Sequence, residues 1–457
     1  MAAEVEGAFH DVHHELGAPE KEIVHPSVTR RGERPIIANT QIKTWVPRGY
    51  IVIHSSSPGT GLSQGSPTVG GDNESLAPKA VIDWLNGRAK GYTTPDGTEE
   101  VKAYWTTGKV GMTGTSYNGT IPLAAATTGV EGLEAIIPIA PNTSYYNYYR
   151  SNGLVRSPGG YLGEDVDVLY DFIHSGDESK RAYGDSIYRD NEIQNGIDRI
   201  SGDYNAFWAG RDYLNDMKPM KAALFMSHGF NDWNVMPEHS YRIYKKAEEM
   251  GLPVKIYYHQ YGHGGPPPFS MMNKWFTHYL FGIENDIEKG PKAWIVREND
   301  KNDNPTPYAD YPNPEAKNVT LYLKATSKNK GTLTAEKSKK QGTQTLIDDY
   351  NFSGDQLAQL ATSDHRLLFV SPILKEYLHL SGLSKLHIKL ASSKPAANLS
   401  VWMVSLPWNN EKNAKPTDNI ITRGWADPQN YKSITESEPL NRANFMKCPS
   451  ILFRTIR

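Results

Sequence analysis

From Gly49 to about residue 285 the chain alternates short apolar runs with longer segments of mixed character. Residues 51–55, 109–113, 133–140, 221–227 and 254–259 are short and largely apolar and read as buried strands, whereas 76–86 and 240–250 carry helix-like spacing. Strands of this kind interleaved with helices predict an α/β fold with a mostly parallel sheet covered on both faces. The expected α/β domain spans 46–285. Its rhythm stops between residues 141 and 218, an aromatic and charged stretch with helix-like pieces. An insertion between two strands at that point would hang over the carboxyl edge of the sheet as a helical cap. Residues 1–45 are polar and unpatterned and are expected to be irregular.

Beyond Asn285 the pattern shifts to period two. A Pro/Asn-rich stretch over 302–314 leads into alternating segments at 319–323, 366–370, 386–390 and 399–404, separated by Gly, Ser, Asn and Lys. This predicts a carboxy-terminal β-sandwich over 286–457. The basic run 328–344 reads as a solvated loop.

Composition narrows the function more than the fold. Forty-nine basic against 51 acidic residues give a net charge of −2, which provides no pull toward nucleic acid or an anionic membrane. No apolar run approaches the ~18 residues of a membrane helix, and the amino terminus lacks a signal-peptide pattern. The single cysteine, Cys448, excludes an internal disulfide and suits the cytoplasm. The histidines lack zinc-site spacing, so neither a metal nor a cofactor is expected.

The chemistry begins where the 109–113 strand runs into Gly114-Thr115-Ser116-Tyr117-Asn118-Gly119, ahead of a small-residue helix over 122–128. A glycine-flanked serine between strand and helix is the layout of a nucleophile elbow, although Gly119 lies three residues after the serine instead of two. Ordinary strand-to-helix turns share the pattern, so partners matter. Asp232 follows the 221–227 strand and His263 follows the 254–259 strand, in the chain order that a serine, its orienting carboxylate and its base require in α/β hydrolases. Alone, Asp232 reads as a turn residue and His263 as a solvated loop histidine. Three residue types, in order, each past a separate strand end, read as a catalytic triad.

Longer motifs carry a family resemblance. They are Ala80-Val81-Ile82-Asp83-Trp84-Leu85, the elbow with its Ser116-Tyr117 pair, Ala126-Thr127-Thr128-Gly129-Val130-Glu131-Gly132, Arg150-Ser151-Asn152-Gly153-Leu154 and His228-Gly229-Phe230-Asn231-Asp232-Trp233-Asn234-Val235. Over about residues 45–440 the chain resembles the Xaa-Pro dipeptidyl-peptidases of the cocaine-esterase-like serine hydrolases. The resemblance implies an α/β-hydrolase core, a helical cap, a carboxy-terminal jelly roll and release of Xaa-Pro dipeptides from peptides with a free amino terminus and a penultimate proline. It implies Ser116, Asp232 and His263 as the triad. It also implies Glu164 as the carboxylate that pairs with the substrate ammonium, assisted by Asn234. Read without the resemblance, Glu164-Asp165 caps a helix starting near Val166. Tyr145, Tyr148 and Trp233 could line an apolar slot for the proline ring, or could equally be core. Tyr117, as the residue following the nucleophile, can give its backbone N–H as one oxyanion donor.

Two departures stand out. The family's second donor is a tyrosine hydroxyl upstream of the segment matching Arg48-Gly49-Tyr50, yet no tyrosine precedes Tyr50 here. Residues 441–457 also depart from the family pattern, so a chain truncated at both ends, with an incomplete sandwich, is expected. An esterase or acylase of the same family and a non-catalytic remnant with a binding sandwich remain as alternatives, and a homodimer is left open.

Overall fold

A computed structural model of the chain describes residues 39–158, 163–298, 304–339, 342–349, 351–409, 411 and 419–440, together with the backbone of 3–7 and 446–453. The first elements are β1 (Ala3–Gly7), α1 (Asn39–Trp45), β2 (Ile51–Ser55) and α2 (Asp72–Leu85). The strand–elbow–helix unit follows as β3 (Val110–Thr115) and α3 (Tyr117–Thr127), and then β4 (Leu133–Ile139). α3 starts directly after Ser116, five residues earlier than the small-residue run suggested.

After β4 the chain makes short helices, including α4 (Tyr145–Tyr149) and α5 (Val166–Ile173), before β5 (Ala223–Gly229), α6 (Glu238–Glu249), β6 (Val254–His259) and α7 (Phe269–Phe281). Two further strands, β7 (Ala293–Ile295) and β8 (Thr306–Tyr308), complete a six-stranded sheet of order β8-β7-β6-β5-β4-β3. All neighbours are parallel except β7 with β8. The sheet therefore takes two strands from beyond residue 285.

Strand β4 shows why the sheet is covered on both faces. Ile136 points into one core with Leu224, Ile256 and the alanines of α3, while Ala135, Ile137 and Ile139 point into another with Phe225, Trp275 and Phe276. Each such fully buried large side chain contributes ~1.5–3 kcal/mol. The second core also receives Ile42, Trp45 and Val46. The amino-terminal segment is thus not irregular throughout: α1 packs under the sheet, and β1 pairs antiparallel with β2. The rest of it, residues 8–38, lies outside the described residues.

The carboxy-terminal part contains β9 (Tyr322–Ser327), β10 (Lys330–Thr334), β11 (Leu368–Val370), β12 (Ser384–Leu390), β13 (Leu399–Val404), β14 (Ile420–Ala426) and β15 (Met446–Phe453). They form one three-stranded and two two-stranded sheets. The run 328–344 is not simply a loop, because its start turns through Asn329 at φ 60° into β10. Asparagine tolerates that left-handed conformation, and the turn joins β9 to β10 as a hairpin. Among the described residues, no helix is long and apolar enough to cross a membrane, and no group of three or more His, Cys, Asp or Glu side chains could hold a metal ion.

Candidate active site

Ser116 sits alone between β3 and α3 with φ 62° and ψ −125°, a backbone state that L-residues rarely occupy. Its surroundings impose it. The Ser116 N–H donates to Ile139 O at 2.9 Å, and Ser116 O accepts from the N–H groups of Gly119 and Thr120 at 2.8 and 2.9 Å. The two glycines permit the close crossing of helix and strand. A Cβ on Gly114 would lie 2.3 Å from Asn118 O, and one on Gly119 would lie 2.7 Å from Ile139 O. Position 119, one residue later than usual, is therefore where this elbow needs its glycine. The first turn of α3 leaves backbone N–H groups without intrahelical acceptors beside the serine, an arrangement suited to an anion.

Asp232 lies in the loop after β5 and is fully buried. Its Oδ1 accepts from the N–H groups of Asn234 and Val235, both at 3.0 Å. Its Oδ2 faces two imidazoles, His263 Nδ1 at 2.7 Å and His228 Nε2 at 3.1 Å. Burial pushes the carboxyl pKa up, but hydrogen bonds from His228 and His263 outweigh it and hold the group below its ordinary value. An ionised carboxylate can only accept, so His263 carries its proton on Nδ1 and leaves Nε2 as the basic nitrogen. The His263 side chain is 31% exposed. A Cβ on its neighbour Gly264 would lie 3.6 Å from Cγ2 of Thr115, the residue before Ser116. Ser116, Asp232 and His263 follow the carboxyl ends of β3, β5 and β6 of one sheet, and His263 is bonded to Asp232.

Two histidines that sequence reasoning passed over hold this arrangement. His228 Nε2 also lies 2.8 Å from Val235 O, which can only accept, so that nitrogen bears a proton; its Nδ1 lies 2.7 Å from Ser240 Oγ. His259 spans the His263 loop, its Nδ1 accepting from the Tyr261 N–H at 3.1 Å and its Nε2 donating to Gly264 O at 2.8 Å. Burial pushes the His259 pKa down, which keeps the ring neutral and both bonds intact. The signal for His228 was its place four residues before Asp232 at a strand end. His259 carried none, because it reads as one more position of an apolar strand.

Glu164 and its neighbours occupy the next layer. Asp165, not Glu164, caps α5: its Oδ1 accepts from the Val166 N–H at 2.8 Å. Asp165 also pairs with the fully buried Arg150 at 3.1 Å and with Arg199 at 3.2 Å. Breaking a buried pair of this kind typically costs ~3–5 kcal/mol, so the backbone carrying Glu164 is firmly held. Tyr148 donates to Asn234 Oδ1 at 3.1 Å, and Asn234 Nδ2 donates to Pro158 O at 3.2 Å. The Tyr148 pKa is pushed up to about 12, first by burial and then by the nearby charge of Glu164, with a smaller effect from Asp232. Glu164, Tyr148 and Asn234 therefore lie together beside the Asp232 loop. Tyr145 does not join them. It is completely enclosed, with its ring against Gly70 and 6.3 Å from that of Tyr117, and so cannot line an open slot.

Trp233 is held from two sides. Arg156 donates to Trp233 O at 2.8 Å and Asn234 O at 3.3 Å. From β14, the Arg423 guanidinium lies 4.1 Å from the centre of the Trp233 ring and also contacts Trp425 and Trp402. Burial pushes the Arg423 pKa down to about 10. The carboxy-terminal strands thus reach the residue next to Asp232. The residue pattern of an edge strand does not announce such a contact.

Residues 10–265 match the X-Pro dipeptidyl-peptidase (S15 family) model, and residues 285–449 match the X-Pro dipeptidyl-peptidase C-terminal non-catalytic domain. The chain is 60% identical over 442 residues to a Rhodopirellula baltica protein whose name assigns it as an Xaa-Pro dipeptidyl-peptidase, covering 96% of this chain and 71% of that protein. It is 34% identical to the Xaa-Pro dipeptidyl-peptidase of Ligilactobacillus salivarius, covering 87% of this chain and 53% of that one. The chain thus spans between about half and about seven tenths of the length of these two relatives. Among solved structures, an aminopeptidase from a marine sediment archaeon aligns with a TM-score of 0.65 at 16% identity, covering 91% of this chain and 77% of that one. An α-amino acid ester hydrolase aligns with a TM-score of 0.63 at 16% identity and the same coverage. At those identities the structures speak to the fold alone.

Proposed function

Because this chain belongs to the S15 family of X-Pro dipeptidyl-peptidases, we propose that it is a serine peptidase that releases Xaa-Pro dipeptides from free peptide amino termini. Ser116 Oγ attacks the carbonyl carbon after the second residue while His263 Nε2 takes the hydroxyl proton, and Asp232 faces the resulting imidazolium. The tetrahedral oxyanion accepts from the Tyr117 N–H. Collapse breaks the peptide bond, His263 returns the proton to the departing amine, and the dipeptide stays esterified to Ser116. Water then attacks the ester, again with His263 as base, and frees the dipeptide and the serine.

The observation that carries the dipeptide reading is the nearness of Glu164 to Tyr148, which feels its charge and itself bonds Asn234 of the Asp232 loop. Asp165 takes the helix cap, and Glu164 is the group assigned here to the substrate ammonium. Tyr148 and Trp233 are the proposed walls of the proline slot. In the same proposal, residues 141–218 cap the site, the carboxy-terminal strands form a jelly roll, and the protein works in the cytoplasm, consistent with one cysteine in the chain.

Glu164→Gln tests the reading. Removing one partner of a desolvated charge pair costs ~2 kcal/mol or more, so kcat/KM for Gly-Pro-anilide should fall roughly 30-fold. Hydrolysis of a simple acyl ester, which has no ammonium, should be nearly unchanged. Equal losses on both substrates would favour an esterase whose Glu164 is structural.

A further inference from the structure

Glu74 is a buried carboxylate that no step above uses. It lies in the first turn of α2 and is 1% exposed. Its Oε1 accepts from the N–H groups of Thr68 at 3.2 Å and Val69 at 2.9 Å, and its Oε2 accepts from the Gly70 N–H at 2.9 Å. The fourth donor is the Tyr117 hydroxyl, 2.5 Å from Oε2. An acidic residue in a first helical turn usually serves the helix dipole, and three of these four bonds would suit a carboxylate that merely ties down a loop. The fourth leads to the residue after Ser116.

The loop it ties is itself constrained. Val69 has φ 50° and Gly70 φ 79°, and the left-handed state is costly for a β-branched valine. Arg211 braces the other side, donating from Nε to Val69 O at 3.0 Å and from Nη2 to Thr68 O at 3.1 Å. A Cβ on Gly70 would lie 2.2 Å from the Tyr145 ring, which in turn sits against Tyr117. The Tyr117 phenol is therefore anchored to a buried carboxyl group and a loop that have little freedom to move.

We infer that Glu74 is a positioning residue for the reaction: by clamping the Tyr117 side chain, it fixes the orientation of the peptide unit that joins Ser116 to Tyr117, and with it the oxyanion-facing N–H. This rests on the role proposed above for that N–H. The serine sits in a strained turn whose relaxed alternatives would rotate the peptide away, and small misplacements of catalytic groups are costly in rate.

The test is a double-mutant cycle of Tyr117→Phe, which keeps the ring and the backbone N–H, with Glu74→Gln, which keeps the shape but puts an N–H among donors. Active sites are counted by titration with a fluorophosphonate, and kcat and KM are measured per active site on Gly-Pro-anilide and on a simple acyl ester. Tyr117→Phe should lower kcat about tenfold on both substrates with KM changed less than twofold, and the double variant should be no slower than the slower single one, since both changes break one link. Unchanged kcat per active site in Tyr117→Phe, with only a lower melting temperature, would overturn the inference, as would losses that multiply in the double variant. The ester arm separates this outcome from failure of the dipeptidase reading, because it reports the oxyanion geometry even if Gly-Pro-anilide is not a substrate. Tyr117→Phe keeps the question answerable if Glu74→Gln fails to fold.

Discussion

Ser116→Ala is expected to lower kcat by roughly 10⁶-fold, the scale seen when a triad nucleophile is removed and only binding and oxyanion contacts remain. The substitution deletes one oxygen at a position held by backbone bonds to Ile139, Gly119 and Thr120, none of which involves the hydroxyl. The fold should therefore be unaffected, and the loss should appear in turnover. A fluorophosphonate probe should label the parent protein and not the variant. Undiminished labelling of Ser116→Ala would assign the nucleophile elsewhere and remove the basis for the site.

Asp232→Asn should cost ~10⁴-fold in kcat, and the local bonds explain why. Oδ1 accepts from two backbone N–H groups, Asn234 and Val235, so an asparagine must keep its oxygen there. Its NH₂ then falls at the Oδ2 position, facing Nδ1 of His263 and Nε2 of His228. The His228 N–H keeps Val235 O as its acceptor, but the asparagine NH₂ and the His263 Nδ1–H would meet with no acceptor between them. The exposed ring has the freedom to adjust: His263 moves its proton to Nε2 and accepts at Nδ1, and a protonated Nε2 cannot take the proton of Ser116. Retained folding with lost turnover, measured by circular dichroism and kcat on Gly-Pro-anilide, is the expected result. A variant within tenfold of the parent would show that Asp232 does not set the tautomer of His263.

The α/β frame and the strand ends that carry the candidate triad were legible in the sequence because each rests on a local pattern. Strands β3, β4, β5 and β6 are short apolar runs, and Ser116, Asp232 and His263 follow three of them directly. What escaped was built from contacts between distant segments. Glu74 reads as an ordinary acidic helix start until Tyr117, 43 residues later, is seen to donate to it. His259 alternates correctly within β6, so nothing marks it as the clamp on the loop behind it. Helix α1 is hard to see in the sequence although Ile42 and Trp45, with Val46 just beyond it, carry the i, i+3, i+4 spacing of a buried face; seven residues in polar surroundings give too short a window for periodicity to stand out. Tyr145 is a candidate pocket wall by residue type, and residue type does not separate a wall from a core. Either member of the Glu164-Asp165 pair could cap the following helix on sequence grounds, and only the bond from the Val166 N–H to Asp165 shows which one does.

The central claim is that the enzyme measures two residues from a free amino terminus ending in proline. Product analysis by mass spectrometry tests it most directly, using a peptide that begins Gly-Pro and its amino-acetylated twin at equal concentration. The account predicts free Gly-Pro dipeptide and a peptide shortened by two residues from the first, and no cleavage of the second, whose blocked amine cannot pair with Glu164. Cleavage of the acetylated peptide at a comparable rate, or release of glycine alone as the first product, would contradict it.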